Sequence, residues 1–469
     1  MNEKIFKAYD VRATYPEPLN EDAAWRVGFG VGSFLRKQVA QSREPYTTRP
    51  DLVLISRDMR PSSPSLSQAL SEGVRAAGMD VIYLGECDTS MIYFAVNHLG
   101  AAGGVQVTAS HNPVHYNGFK VSGQLAKPIG AQSGLQEIKD IALACGGPGS
   151  QPPLGRLEEM DLWAPYRKHV LKFYTPPAAG RKLKVFVDAS NGMGGALVPK
   201  VFDGVPGLEL IRLNFEHGPT VPFAHEPNPL VAENMAPTQR GTLEHRADLG
   251  ACFDGDADRC MFTDETGAIV GCDHLTALLT EPFVRQYPGT TIVYDLRSSK
   301  AVEERIRDCG ATPLRSRVGH VFMKSALRSC QGAFGGELSG HFYFRDNYYA
   351  DSGAIAFAAT LSVLGAASQP LSKLIAPFKK YPQSGEINFH AHDKQAAMDA
   401  VRARHAGARI DDLDGVTIDS FDDKGYWFNV RASNTEPLLR LNAEARDRAT
   451  LDQLLTELKP MLGTEAVGH

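Results

Sequence analysis

Three carboxylates stand at alternate positions after an apolar segment near the middle of the chain. In ADLGACFDGDADR, Asp254, Asp256 and Asp258 are separated by Gly255 and Ala257. Alternate carboxylates between small residues can converge on one hard cation, which prefers oxygen ligands. Three protein carboxylates leave open positions for water or a phosphate oxygen. The segment therefore predicts a magnesium site suited to phosphoryl transfer.

Two other structures are compatible with part of this acidic segment. An EF-hand calcium loop would also place aspartates at alternate positions, and Glu265 would fall at its twelfth position. Its turn glycine is replaced by Arg259, however, and the preceding residues resemble a strand rather than an amphipathic helix, so we reject the EF-hand. A solvated acidic turn without a bound metal is the remaining alternative.

A serine on a turn-rich loop is the second candidate group. In GGVQVTASHNPVHYNGFK an apolar strand gives way to Ser110, and the Asn-Pro and Asn-Gly dipeptides that follow are strong turn signals. A free serine hydroxyl is a weak nucleophile that needs a base or a metal. His111 and Lys120 are close in sequence, and the acidic segment could supply the cation. The loop therefore predicts a serine nucleophile.

Acyl transfer is disfavoured for this serine. The nucleophile elbow of many serine hydrolases has the pattern G-x-S-x-G. Thr108 and Asn112 occupy the two glycine positions here. An ordinary turn serine is the alternative to a nucleophile.

Two later segments complete a set of four. GGELSGH runs from Gly335 to His341, and RASNTEPLLR runs from Arg431 to Arg440. With the serine and acidic segments, in this order, they make the chain resemble the α-D-phosphohexomutase superfamily, most closely its phosphomannomutase/phosphoglucomutase branch. YDVR, RDMRPSS, VDASNGMGG and RVGH are similar to further segments of that family. The resemblance spans nearly the whole chain, and four segments in order are far more specific than one.

The resemblance implies a role for each segment. In that family the TASHNP serine is phosphorylated, the DGD-x-DR loop binds magnesium, the GE-x-SGH loop contacts sugar hydroxyls, and the C-terminal loop binds the substrate phosphate. Arginine suits phosphate because it donates two parallel hydrogen bonds to it. The implied metal ligands are Ser110, Asp254, Asp256 and Asp258; the catalytic residues are Ser110, His111, Lys120, Arg259, His320 and His341; and the substrate-binding residues are Tyr9, Arg12, Glu337, Ser339, Arg431, Ser433, Asn434 and Thr435.

Two positions depart from the family pattern. Ala13 follows YDVR where the family usually has glycine. Arg297 stands where some dual-specificity members have lysine, and a guanidinium cannot readily act as a base because it stays charged. If a lysine moves the proton in those relatives, the role passes here to Lys120, His320 or His341.

The activity implied by the resemblance is that of a phosphohexomutase, which interconverts hexose 1-phosphate and hexose 6-phosphate of mannose, glucose or both. Phosphorylated Ser110 would give its phosphoryl group to the sugar, and the bound hexose 1,6-bisphosphate would turn end for end before the other phosphate returns. Mg²⁺ and hexose 1,6-bisphosphate are the expected cofactors. One alternative is a phosphoglucosamine mutase, although that branch usually has Gln in place of Leu338. The other is a non-catalytic phosphosugar-binding protein.

The composition restricts the class of protein. The chain has 469 residues, 43% of them hydrophobic and 22% charged, which is typical of a multidomain globular protein. Its formal net charge of −5 provides no overall basic field for nucleic acid. The sequence has no apolar run of membrane-spanning length and no signal-like N-terminal core, and its seven cysteines form no C-x-x-C pair. We therefore expect a cytoplasmic protein that binds a hexose phosphate but neither nucleic acid nor membranes; we expect a monomer, and an oligomer remains the alternative.

The elements that must position these groups repeat along the chain. LVLISRDMRPSS, KVFVDASNGMGG and TIVYDLRSSK each pass from an apolar run through an aspartate into a polar turn and small residues that open a helix. This is the strand-helix unit of a parallel sheet, although any α/β protein can repeat it. We expect an α/β fold of three similar mixed-sheet α/β domains plus a smaller C-terminal α+β domain around a central cleft. The expected bounds are 1–153 for domain I with the phosphoserine loop, 154–268 for domain II with the metal loop, 269–382 for domain III with the sugar-recognition loop, and 383–469 for the phosphate-binding domain IV.

Overall fold

A computed structural model describes residues 1–42, 47–150, 152, 154–178, 180–433 and 438–466 of the chain. Four β-sheets follow one another along the sequence, the first three mixed and the fourth antiparallel. The predicted fold class, three similar α/β domains and a smaller C-terminal domain, is confirmed.

The first sheet is buried on both faces at its centre. Leu52 and Leu54 belong to one hydrophobic cluster, while Val53 and Ile55 belong to another. Such alternation is expected of an apolar run in a parallel sheet that helices cover on both sides. In the order β1-β5-β4-β2-β3-β6, the strands are β1 (Val11–Thr14), β2 (Arg49–Arg57), β3 (Asp80–Glu86), β4 (Ala101–Val107), β5 (Tyr116–Ser122) and β6 (Leu157–Glu159), and the helices are α1 (Glu21–Gln41), α2 (Ser63–Ala76), α3 (Thr89–Leu99) and α4 (Gln136–Ala144).

The last strand of this sheet comes after the expected end of domain I at residue 153. β6 pairs in parallel with β3, so the chain beyond that point still contributes to the first sheet. Leu157, Glu158 and Glu159 are all exposed. A three-residue edge strand of this kind carries none of the apolar pattern by which strands are predicted.

The second and third sheets have five strands each. In the order β11-β10-β9-β7-β8, the second contains β7 (Leu183–Asp188), β8 (Leu208–Leu213), β9 (Leu249–Phe253), β10 (Cys260–Asp264) and β11 (Ile269–Val270), with helices α5 (Trp163–Val170), α6 (Gly194–Phe202) and α7 (Ala236–Glu244). In the order β13-β12-β14-β15-β16, the third contains β12 (Thr291–Asp295), β13 (Thr312–Ser316), β14 (Phe334–Gly336), β15 (Phe342–Phe344) and β16 (Ala350–Asp351), with helices α8 (Cys272–Gln286), α9 (Lys300–Asp308), α10 (His320–Ser329), α11 (Gly353–Ala366) and α12 (Leu371–Ile375).

The first three sheets share one connection pattern. In each, a central strand (β2, β7 or β12) pairs in parallel with the two strands that follow it in sequence. The second of these (β4, β9 or β14) then pairs antiparallel with the strand after it. Asp58, Asp188 and Asp295 stand where the first strand ends, and each accepts the main-chain N–H two residues on, at 3.0, 2.9 and 2.8 Å. This aspartate turn is the physical basis of the repeat in the sequence.

The fourth sheet has its own core. Phe389, Leu441 and Leu458 belong to a hydrophobic cluster separate from the large one that the first three domains share. The last domain therefore does not share a continuous hydrophobic core with the other three among the described residues. In the order β18-β19-β20-β21-β17-β22, its strands are β17 (Gln383–His390), β18 (Arg409–Asp411), β19 (Val416–Ser420), β20 (Tyr426–Ala432), β21 (Leu439–Ala445) and β22 (Thr464–Glu465), and its helices are α13 (Lys394–Arg404), α14 (Phe421–Lys424) and α15 (Arg448–Leu462).

Short helical turns connect several of these elements. In the described ranges, no single helix is both long and apolar enough to cross a membrane; Gly353–Ala366 and Leu371–Phe378 reach that length only together, as a pair bent by 99°. All seven cysteines are free thiols. The single-turn helices are Glu3–Ile5, Gln124–Ala126, Leu171–Phe173, Ala232–Met235, Arg345–Asn347 and Ala376–Phe378, and Ala131–Leu135 is a π-helical turn.

Candidate active site

The serine, acidic and GGELSGH loops occupy equivalent positions in their domains. They follow β4, β9 and β14, and each leads into the antiparallel strand of its unit. The loops also touch one another. The carbonyl oxygen of Ser110 would lie 2.4 Å from a Cβ placed on Gly255, so only glycine permits this approach of the first two loops. Arg259 Nη1 donates to the Ser339 carbonyl at 3.2 Å, which joins the second loop to the third.

Ser110 is held in a strained and buried position. Its backbone has φ of 53°, in the left-handed region that non-glycine residues rarely adopt, and the residue is 4% exposed. Thr108 Oγ1 accepts its N–H at 2.9 Å. The Ser110 hydroxyl lies 3.4 Å from Asp254 Oδ2 and 3.4 Å from His111 Nδ1. The loop therefore presents the hydroxyl between a carboxylate of the acidic loop and an imidazole.

Arg60 fixes the serine loop, a role that the sequence did not reveal. Its guanidinium is 1% exposed and is anchored by Asp58 Oδ2 at 3.0 Å. The other four N–H groups donate to main-chain carbonyls at 2.7–3.1 Å, so all five donors are used. The four carbonyls belong to Ser110, Asn112, Pro113 and Tyr116.

Arg60→Lys is expected to lower kcat by about 10- to 100-fold with a small change in KM, since one ammonium group cannot replace a planar fork that holds four carbonyls. The serine would then move relative to the acidic loop, whereas groups that bind substrate elsewhere would stay in place. Steady-state kinetics and thermal unfolding of the variant test this. Arg75→Lys is the matched control, because Arg75 donates to a loop carbonyl of the same domain, that of Gly155, at 2.8 Å. Equal kinetic losses in both variants would contradict a specific role for Arg60.

The three aspartates of the acidic loop converge as predicted. Oxygens of Asp254, Asp256 and Asp258 all lie within 4.8 Å of one another, and the residues are at most 1% exposed. Across the residues that the structure describes, Asp256 Oδ1 and Asp258 Oδ1 are buried without a hydrogen-bond partner. Buried carboxylate oxygens without partners are costly unless a cation binds them. The donor set, all oxygen, fits a hard divalent cation such as Mg²⁺.

Arg259 and burial set the charge of these aspartates. Arg259 is 2% exposed, and its Nε donates to Asp254 Oδ2 at 2.8 Å. Burial, opposed by Arg259 and assisted by the neighbouring carboxylates, raises the pKa of Asp254 to about 7. Burial also acts on Asp258, but Lys120 and His341 hold the pKa of that carboxyl well below its usual range. The loop therefore combines a carboxyl that burial disposes to hold a proton, Asp254, with one that positive neighbours keep ionised, Asp258.

Lys120 reaches across from the first domain into the acidic loop. Its Nζ donates to Asp256 Oδ2 at 2.8 Å and to Asp258 Oδ2 at 2.6 Å. Against the effect of burial, these two carboxylates raise the pKa of Lys120. In this arrangement Lys120 is a charged donor. Thr89, the first residue of α3, adds a second link, since its Oγ1 donates to Asp256 Oδ2 at 2.5 Å.

Three histidines surround this cluster with opposite tendencies. Burial and Arg259 lower the pKa of His111 well below its usual value, and burial and Lys324 do the same for His320. Burial alone would lower the pKa of His341 as well, but Asp258 and Asp351 raise it. His341 Nε2 lies 3.6 Å from Asp258 Oδ1. Two neutral imidazoles therefore stand close to one that is protonated more readily.

Glu337 and Ser339 lie in the GGELSGH loop and are already hydrogen-bonded. Glu337 is 2% exposed and accepts the Gly319 N–H and the Tyr343 hydroxyl, each at 2.8 Å. Ser339 Oγ is 2.8 Å from His341 Nδ1. Glu337 thus connects its own loop with RVGH, the segment that leads into α10 at His320.

Tyr9 and Arg12 join the first domain to this region in different ways. The Tyr9 ring packs edge-on against His320, with centroids 5.7 Å apart. Arg12 Nη1 donates to the Asn112 side chain at 2.6 Å and so contacts the serine loop. Val318 N donates to Asp414 Oδ2 of the last domain at 3.2 Å. Side chains from all four domains therefore surround one region.

The C-terminal segment is described in part. Arg431 is 2% exposed, and its Nη2 donates to Glu386 Oε2 at 2.7 Å. Ser433 is half-buried, and its N–H donates to the Leu438 carbonyl at 2.9 Å. Asn434 and Thr435, predicted to bind phosphate, lie outside the described residues. Their roles stay predictions.

Sequence reasoning missed several side chains that support the site. Arg60 lies in RDMRPSS, a segment quoted for its similarity but given no role. Lys324 and Asp351 form a buried ion pair at 2.6 Å beside His341, and Glu386 contacts Arg431. Neither local spacing nor turn signals distinguish these residues, because their partners are distant in sequence.

Four family models, described as phosphoglucomutase/phosphomannomutase, match the chain in succession. The three models for α/β/α domains I, II and III match residues 3–144, 164–267 and 272–381. The model for the C-terminal domain matches residues 386–460. Each model thus covers most of one sheet.

Relatives that match over nearly their whole length have related names. The phosphohexose mutases protein of Xanthomonas campestris pv. campestris (strain B100) is 38% identical, covering 97% of this chain and 98% of its own. A phosphomannomutase of Salmonella montevideo is 36% identical, covering 97% of this chain and 98% of its own. The crystal structure of a phosphoglucomutase/phosphomannomutase family protein from Burkholderia thailandensis superposes with a TM-score of 0.87 at 29% identity, covering 98% of this chain and 97% of its own.

Proposed function

The chain belongs to the phosphoglucomutase/phosphomannomutase family and is a phosphohexomutase, and we propose that it interconverts the 1- and 6-phosphates of mannose, glucose or both through a phosphoserine at Ser110. The observation that carries this proposal is the placement of the Ser110 hydroxyl, 3.4 Å from Asp254 and on a loop fixed by Arg60. A phosphoryl group on that oxygen would stand beside the three carboxylates and the guanidinium of Arg259.

The proposed cycle consists of two phosphoryl transfers. In the first, the bond from phosphorus to Ser110 Oγ breaks, a bond to the free sugar hydroxyl forms, and the proton of that hydroxyl leaves as the serine oxygen regains one. The hexose 1,6-bisphosphate then turns end for end. In the second, Ser110 Oγ loses its proton and bonds to the phosphorus of the other phosphate, the bond from that phosphorus to the sugar oxygen breaks, and this oxygen gains a proton as the isomeric monophosphate is released.

Electrostatic stabilisation and positioning are the main requirements of this chemistry. Asp254, Asp256 and Asp258 would hold Mg²⁺, which supplies positive charge for the transferring group when bound. Arg259 carries a further fixed positive charge, and its buried Nη2 has no hydrogen-bond partner among the described residues. This donor is available to a phosphate oxygen.

Proton transfer is assigned to the groups around the acidic loop. His111 and His320, which are neutral, can accept a proton. His341, whose pKa neighbouring carboxylates raise, can donate one, whereas the same carboxylate effect keeps Lys120 charged and makes it an electrostatic group rather than a proton donor. Arg297 stays charged and bound to Asp295, so we exclude it as the base.

A coupled assay with mannose 1-phosphate and glucose 1-phosphate separately, in Mg²⁺ with a trace of hexose bisphosphate, tests the substrate assignment. We expect turnover of at least one sugar phosphate, and loss of that turnover when a chelator removes the cation. Turnover that survives chelation would remove the metal from the reaction. Turnover of glucosamine phosphates alone would replace the proposed substrates, and binding without turnover of any sugar would indicate a non-catalytic protein.

The free thiols and the phosphorylated substrate also support a cytoplasmic location, which we propose as well.

A further inference from the structure

Glu386 lies at the centre of three arginines, apart from the serine and acidic loops. Its Oε2 accepts from Arg431 at 2.7 Å and from Arg297 at 3.2 Å, and its Oε1 accepts from Arg440 at 3.0 Å. Against the effect of burial, Arg297 and Arg431 lower the pKa of Glu386. One ionised carboxylate therefore contacts guanidinium groups from two domains.

The strand register explains why an anion is needed at this point. Arg431 on β20 is directly opposite Arg440 on β21, and like charges in such a position repel. Glu386 extends from the next strand, β17, where its direct partner is Asn442. Because residues two apart on a strand share a face, Glu386 is the diagonal neighbour of Arg440 on the same face. The sheet itself thus supplies the counter-ion of its arginine pair.

Arg297 brings the third domain to the same carboxylate. Its guanidinium is fixed by Asp295, with Nε 3.0 Å from both carboxylate oxygens, and Nη1 extends to Glu386. The core of the last domain is separate from the core shared by the other three. The Arg297–Glu386 ion pair is thus one of the contacts that join the last domain to the third.

Building on the proposed function, we propose that Glu386 is a positioning residue of the phosphate subsite: it holds Arg431 in place for the non-reacting phosphate of the sugar, balances the charge of Arg440 beside it and, through Arg297, fixes that subsite against the third domain. Arg431 keeps one donor for this purpose. Its buried Nε has no hydrogen-bond partner in the described part of the chain. Without the carboxylate the two guanidinium groups would move apart, and Arg297 would no longer link the domains.

The test compares Glu386→Gln with Asp419→Asn in the full-length protein with Mg²⁺. Asp419 is the matched control, because it also accepts an ion pair from the third domain, from Lys300 at 2.8 Å, but contacts none of the three arginines in the described structure. We expect Glu386→Gln to raise KM for the hexose monophosphates, and the Kd of inorganic phosphate measured by calorimetry, by about tenfold or more. Its kcat should change by less than about threefold, and Asp419→Asn should alter neither constant by more than about twofold.

Three results would overturn the proposal. Unchanged KM and phosphate affinity in Glu386→Gln would show that the arginines need no such anchor. Tighter phosphate binding would show that Glu386 competes with the ligand. Equal losses in both variants would reduce its role to domain stability.

Glu386→Asp covers the case in which the glutamine variant does not fold. It keeps the charge on a shorter side chain, so we expect its KM to lie between those of the wild type and the glutamine variant. If the glutamine variant cannot be measured, we expect the KM of the aspartate variant to exceed the wild-type value. A wild-type KM in the aspartate variant together with an unfolded glutamine variant would assign Glu386 to folding and overturn the proposal. Because phosphate binding requires no turnover, a wild type without mutase activity would refute the proposed function, while the phosphate affinities would still decide the role of Glu386.

Discussion

Ser110→Ala is expected to abolish turnover, with kcat lower by about 10⁴-fold or more, in a protein that still folds. Without Oγ no phosphoenzyme can form, so neither transfer of the proposed cycle can begin. The lost contacts are long, 3.4 Å each, which predicts a small effect on stability. The coupled assay gives the turnover, thermal unfolding gives the stability, and mass spectrometry of the intact protein shows whether it carries a phosphoryl group.

Ser190→Ala provides the control for this substitution. Ser190 is fully buried with φ of 55°, close to the 53° of Ser110, but its hydroxyl donates to the Phe253 carbonyl at 3.2 Å. We expect this variant to keep its turnover and to lose about 1 kcal/mol of stability with the hydrogen bond. Wild-type turnover in a folded Ser110→Ala variant would remove Ser110 from the mechanism.

Features within a short stretch of chain were predictable from the sequence. The turns after Asp58, Asp188 and Asp295 use hydrogen bonds between residues two apart. An aspartate at the end of the strand therefore produces the same local structure three times. The acidic loop was predictable for the same reason, since its three carboxylates are neighbours. Local chemistry thus indicated both the repeated domains and the cluster of aspartates.

Interactions between distant segments were not predictable in this way. Arg60 holds carbonyls about fifty residues further along, and a carbonyl has no residue-specific signal in the sequence. Glu386 contacts Arg440 on a neighbouring strand and Arg297 in the third domain. The family resemblance compensates where it assigns roles residue by residue, as for Ser110, but it assigned none to Arg60 or Glu386. The supporting residues therefore became visible only in three dimensions.

Asp256→Asn is expected to lower kcat by about 10³-fold and to weaken Mg²⁺ binding by about 100-fold or more, because one of three converging charged oxygens is replaced by a neutral amide. A ligand that binds the native state but not the unfolded state raises Tm. The wild type should therefore gain thermal stability when Mg²⁺ is added, and the variant should gain much less at the same concentration. Activity against Mg²⁺ concentration and Tm with and without Mg²⁺ are the two measurements, and the second does not depend on turnover.

Asp264→Asn separates loss of the metal site from loss of any buried aspartate in this domain. Asp264 is 2% exposed, and its Oδ1 accepts the Thr266 N–H at 2.9 Å and the Ala268 N–H at 3.1 Å, so it shapes the turn after β10. Removing its charge should lower Tm but leave the response of Tm to Mg²⁺ intact, because Asp264 is not one of the three converging carboxylates. If Asp256→Asn kept the full Mg²⁺ response while Asp264→Asn lost it, the cation would bind elsewhere, and the acidic loop would be a solvated turn after all.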